Sequence, residues 1–214
     1  LMVILLIYVF FGYFTIENMD LPYVLTGVLG LYLLTCAYAA IGLFMSSITS
    51  YQVVAAMGTL AILAVLNFIG DVGQSISFVR DITYWLSISG RTYPFLSGMI
   101  CSEDVLYFII VISLFIVLST MRLQAARKRR SQTITLARYF IVIGGALFIG
   151  YLTSLPISKF YYDATALKKN TLTPGSQEVV KKLDGDLTIT TYMNILDENY
   201  GSALPDQLKN DFAR

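Results

Sequence analysis

Uncharged apolar runs dominate this chain and restrict what it can become. Residues 21 to 45, 53 to 70, 105 to 121 and 139 to 155 contain no Asp, Glu, Lys or Arg, and residues 1 to 16 are equally apolar. Crossing about 30 Å of hydrocarbon takes roughly 20 mostly apolar residues, so the five runs qualify or nearly qualify as spans. They lack the alternation of membrane barrel strands. The chain therefore reads as an all-α polytopic membrane protein of about five transmembrane helices. The first run has no initiator Met, basic n-region or A-x-A site. It is expected to be the tail of a span in a sequence that begins inside a larger protein.

Charge placement sets the orientation. Total charge is nearly balanced, with 15 Lys and Arg against 14 Asp and Glu, and His is absent. Such a balance provides no chain-wide basic field for nucleic acid. Without imidazole, Ser-His-Asp triads, His metal ligands and His-based pH switches are excluded within this chain. Arg122, Arg127, Lys128, Arg129, Arg130 and Arg138 lie between two apolar runs with no acid among them. A cluster of this kind stays cytoplasmic, and its place between spans argues against a nuclear or nucleic-acid role. Residues 46 to 52 then face inward, whereas residues 17 to 20, 71 to 104 and everything after 156 face outward. The acids Glu17, Asp20, Asp71, Asp81, Glu103 and Asp104 all fall outside.

In the outer segment 71 to 104, Phe78, Val79, Ile82, Trp85 and Leu86 recur at helical spacing with polar residues between them. This predicts an amphipathic interfacial helix; a plain connecting loop is the alternative. Gly90 and Pro94 predict a break, and Ser102, Glu103 and Asp104 an N-cap and acidic first turn of the next span. Beyond residue 156 the composition changes to seven basic and eight acidic residues with no further apolar run. Thr173 and Pro174 predict the start of a short helix with Val179, Val180 and Leu183 on one face. Asp184 and Gly185 signal a turn, Leu187 to Ile195 alternates as a strand, and another helix begins near Asp206. Residues 156 to 214 are thus expected to open a small α/β extracytoplasmic domain, anchored by 139 to 155 and preceded by a cytoplasmic basic joint, 122 to 138.

Chemistry is sparse. No G-x-x-x-x-G-K-[ST] occurs, so ATP hydrolysis would belong to a partner. Uncharged spans argue against a carrier with its own proton site. The carboxylate pairs Glu103–Asp104, Asp184–Asp186 and Asp197–Glu198 have plainer places in a cap, a turn and a solvated loop. Two cysteines, Cys36 and Cys101, make no disulfide framework. No catalytic, cofactor-binding or metal-binding residue is expected. Gly42 with Ser46, Gly58, and Ala146 with Gly150 mark close helix packing. Asn67, Thr35, Thr59 and Ser113 read as interhelical hydrogen-bonding groups or the lining of a polar path, the former being plainer.

Residues 1 to 121 resemble the last four spans of a type-2 ABC exporter permease of the gliding-motility and copper-enzyme-maturation kind. The resemblance lies in GLFMSSITSYQVVAAMGTLAILAVLNFIG, FVRDITYWLSISGRTYPFLSGMI and SEDVLYFIIVISLFIVLSTMRLQ. Residues 139 to 196 resemble the opening of the auxiliary subunit of the same systems, through YDATALKKNTLTPGSQEVVKKLDGDLTITTYM. The family's first two spans and its ATPase-docking coupling helix are absent. The resemblance implies a permease fused to its auxiliary subunit, with an outer gate region at Tyr84, Trp85, Gly90, Arg91 and Tyr93. It places the loop nearest the ATPase at Ser46, Ser47, Thr49, Tyr51 and Gln52. The implied setting is the bacterial cytoplasmic membrane. Implied partners are an ABC ATPase carrying the ATP, a second permease half in a homo- or heterodimer, and an envelope protein outside. A non-transporting scaffold that anchors an outer interaction domain is the rival expectation.

Overall fold

The computed structural model describes residues 2–69, 83, 86–127, 132–154 and 159–182. In chain order these form α1 (Met2–Thr15), α2 (Leu21–Ile48), α3 (Gln52–Phe68), α4 (Ile88–Leu96), β1 (Met99–Cys101), α5 (Ser102–Arg127), α6 (Gln132–Thr153), β2 (Tyr161–Asp163) and α7 (Pro174–Lys181). Among the described residues, three helices are long and apolar enough to cross a membrane. They are α2, α5 over Ser102–Ala125 and α6 over Thr133–Thr153, with mean hydropathies of 2.0, 2.4 and 1.7. The other two runs also form apolar helices, but α1 has 14 residues and α3 has 17.

Helix α2 is the centre of the bundle. Asp20 caps it by accepting a hydrogen bond from the Tyr23 N–H, with Pro22 in the first turn, where a missing N–H is harmless. Its buried residues Thr26, Gly30, Leu33, Ala37, Ala40 and Ile41 recur every three or four positions and form one stripe. Leu33, Ala37 and Ile41 pack with Ile88 and Phe95 of α4 and Tyr107 and Phe108 of α5 to make the core. Farther along, the Phe44 ring meets Phe115 edge-on at 5.6 Å.

Helix α3 lies against α2 where side chains are small. Met45 fills the space above Gly58, and a Cβ at Gly42 would lie 3.8 Å from Thr59 Cγ2. Ser46, expected to share the packing stripe with Gly42, is exposed. Asn67 donates to the Tyr38 hydroxyl at 3.2 Å and to the Leu63 carbonyl at 2.8 Å, joining α3 to α2. The hydroxyls of Thr35, Thr59 and Ser113 each donate to the carbonyl four residues back in their own helix. Helix α6 packs along α5. On α6, Val142 and Ala146 are half-buried and Gly150 is buried, while Phe140, Ile141, Phe148 and Tyr151 stay exposed.

Two sequence expectations change. Gly90 and Pro94 do not break the chain; both lie inside α4. Ser87 caps that helix by accepting from the Gly90 N–H, and burial of Ile88 and Phe95 holds a helix only nine residues long, which outweighs the backbone bond lost at a proline in its last turns. The basic joint is also more helical than a loop. Helix α5 runs through Arg122 to Arg127, and Arg138 lies inside α6, because Arg, Gln and Ala are strong helix formers. Lys128, Arg129 and Arg130 lie outside the described residues. So do Phe78, Val79, Ile82, Tyr84 and Trp85 of the amphipathic segment, and Leu183, the turn at Asp184, the 187–195 strand and the helix near Asp206.

Candidate functional site

Polar chemistry gathers at one end of the bundle, where α4, β1, the start of α5 and residues 159–171 meet. Phe95 explains how α4 comes to sit there. Its ring occupies the place a side chain at position 30 would take, since a Cβ on Gly30 would lie 2.5 Å from the Phe95 Cβ. The Tyr23 hydroxyl donates to the Leu96 carbonyl at 2.8 Å, tying the start of α2 to the end of α4. Gly98 then turns the chain with a φ of +78°, a conformation L side chains rarely adopt, and a Cβ there would strike Tyr23 and Thr165.

Behind this turn lies a buried charge cluster. Arg91, 3% exposed, places Nη1 2.7 Å from Glu103 Oε1 and 3.0 Å from Asp104 Oδ1. Its guanidinium carbon lies 5.5 Å from the centre of the Tyr107 ring, a cation–π distance. Tyr107 in turn donates to the Leu86 carbonyl at 2.8 Å. The other oxygen of Glu103 receives Lys159 at 2.9 Å, while Oε1 also accepts from the Ser154 hydroxyl at 3.1 Å. Two cations and two carboxylates thus neutralise one another, which buried charges require. Burial works against the Arg91 charge, but Glu103 and Asp104 outweigh it and raise the pKa above the ordinary arginine value. The hydrogen bond to Glu103 likewise raises the Lys159 pKa. Burial pushes the neighbouring Cys101 thiol up to about 12.

Residues after α6 complete the site. β2 pairs antiparallel with β1, with Met99 opposite Asp163, Ile100 opposite Tyr162 and Cys101 opposite Tyr161. The pairing continues on both sides, because the Ser102 N–H donates to the Phe160 carbonyl and the Ala164 N–H to the Gly98 carbonyl. Asp163 organises the following loop. Its carboxylate accepts from the Thr165 N–H and hydroxyl, the Asn170 N–H and the Thr171 hydroxyl at 2.6 to 3.0 Å. The Thr165 hydroxyl does most to hold its pKa well below the usual carboxylate range. The ordered loop reaches back to α2 through the Ala166 N–H, which donates to Asp20 Oδ2 at 2.7 Å. It also reaches the end of α4, where the Asn170 amide donates to the Ser97 carbonyl at 2.8 Å.

The residues expected to form an outer gate divide here. Arg91 is the centre of the buried cluster, Gly90 is half-buried, and Tyr93 is 71% exposed. The loop assigned to the ATPase side lies at the opposite end, at the turn between α2 and α3. There Ser47 donates to the Phe44 carbonyl, the Tyr51 N–H donates to Thr49 Oγ1, and Tyr51, Gln52 and Ser46 are exposed. Arg122 and Arg138 are exposed on helices leading to that same end. Lys159, Asp163 and the capping role of Asp20 were not read from the sequence. The order Asp163, Thr165 was a usable signal, because an Asp two residues before a Thr favours a local turn. Among the described residues no group of three or more Cys, Asp or Glu could hold a metal.

Long apolar helices with charge confined to their ends define a helical membrane protein. No family model, curated protein or solved structure matches the chain.

Proposed function

We propose that this chain is the membrane-spanning permease region of an ABC-type exporter in the bacterial cytoplasmic membrane, with α1 and α3 as two further spans and energy supplied by a separate ATPase. The observation that carries the reading is α4. It is a short helix seated in the end of the bundle opposite Arg122 and Arg138, against α2, α3 and α5, directly before the helix that ends the permease-like part. Three residues of the outer gate region that the family resemblance implies, Gly90, Arg91 and Tyr93, belong to this helix. The middle portions of α2, α3 and α5 carry no Asp, Glu, Lys, Arg or His, which favours a driving force supplied from outside the chain. Two such halves enclose a central path, and closure of the partner ATPases shifts the spans between inward-open and outward-open arrangements. Residues after α6 open an auxiliary extracytoplasmic domain.

Reconstitution of the full-length protein with a partner ABC ATPase, in sealed vesicles, tests the reading. ATP-dependent export is the expected result; none in either direction overturns it. The ties between residues 159–171 and the helices also suit the rival scaffold, which needs a firm anchor for its outer part. That reading predicts that ATPase mutations leave function intact.

A further inference from the structure

We infer that residues 159–171 are a clasp that holds the ends of α2, α4 and α5 together, so that this end of the bundle opens only when the clasp lets go. The inference rests on the permease reading for its purpose and on geometry for its existence. Each of the three helices has its own tie. The α2 N-cap Asp20 accepts from the Ala166 N–H while still capping its helix through the other oxygen. The end of α4 is held at Ser97 by Asn170 and at Gly98 by Ala164. The start of α5 is held by the reciprocal bonds of Ser102 with Phe160 and by Lys159 on Glu103.

Two features distinguish a clasp from a connecting segment. Its loop is ordered from within by Asp163, which binds Thr165, Asn170 and Thr171 of the loop itself. Its ladder is only three residue pairs long, so it can separate without disturbing any helix. Glu103 joins the two layers, because the same carboxylate holds Arg91 inside and Lys159 outside. A pull on the chain beyond β2 is thereby transmitted to α4, the element proposed to close the path.

Cys101 makes the test direct. It stands opposite Tyr161 in the ladder, so Tyr161→Cys in a Cys36→Ser background sets two thiols across the ribbon. Copper–phenanthroline in air then oxidises them to a disulfide. In vesicle-embedded full-length protein, oxidation should slow amide exchange over residues 88–104 at least tenfold, and dithiothreitol should restore it. Asp163→Ala should speed exchange over the same residues at least tenfold while leaving α3 unchanged. Exchange at 88–104 that is indifferent to a formed disulfide overturns the clasp, whatever the Asp163 variant does. In the presence of the ATPase, oxidation should also reduce export at least tenfold, reversibly. An untreated protein that never exports counts against the permease reading, and the exchange measurement still decides the clasp.

Discussion

Arg91 joins two carboxylates from a position shielded from water, and removing it takes the buried counter-charge from Asp104 while Glu103 keeps Lys159. Breaking a buried pair by deleting one partner costs about 3–5 kcal/mol, so Arg91→Leu should lower the unfolding midpoint in detergent sharply. Arg91→Lys keeps the charge without the planar fork and should lose less. Gly30→Ala forces Phe95 out of its seat, and overpacking of this kind costs about 1–3 kcal/mol; the expected readout is a lower midpoint with α4 the first segment to exchange. Asp163 gives a pH dependence with a defined sign. Its pKa is lowered on folding, so its stabilisation is present above the unfolded value of 3.8 and is lost as pH falls through the folded one. Pepsin should therefore spare residues 164–171 at pH 4 and cut them only in stronger acid, and Asp163→Asn should abolish that transition. Of these residues, the sequence pointed to Arg91 only through a family resemblance and to Glu103 and Asp104 as a helix start. Their mutual attraction depends on α4 folding back onto α5.

Helices α2, α3, α5 and α6 were legible as apolar runs because lipid demands length and the absence of charge. Their ends were less so. A run of apolar residues stops at the first arginine, but a helix does not, and α5 continues six residues beyond the expected limit at 121. Pro94 misleads in the same way, since local propensity is overridden when neighbouring side chains are buried. Asn67 and the small hydroxyl residues separate interhelical from local bonding. Asn67→Leu should weaken the α2–α3 contact by about 0.6 kcal/mol, the typical value for such bonds in membranes, measured as faster exchange in α3. Thr35→Val and Thr59→Val should leave stability nearly unchanged, because each hydroxyl bonds only within its own helix.

Across the molecule, the two ends differ in character. One carries acids, the clasp and the short helix α4; the other carries the α2–α3 turn and the arginines of α5 and α6. Cysteine replacements at Ser131 and Ser176 test this polarity. In sealed inside-in vesicles an impermeant maleimide should label Ser176→Cys and spare Ser131→Cys, and permeabilisation should expose both. Labelling of Ser131→Cys from outside would reverse the orientation. Which segments are apolar enough for lipid, and which carry the charges that stay out of it, was already readable along the chain, because hydration energies are properties of single residues and their neighbours. The pairing of β1 with β2, some sixty residues apart, and the placing of Glu103 between Arg91 on one side and Lys159 on the other arise only when the chain packs. Backbone pairing over such separations is set by which helix ends the packing of Phe95 on Gly30 brings together, and no local pattern records it.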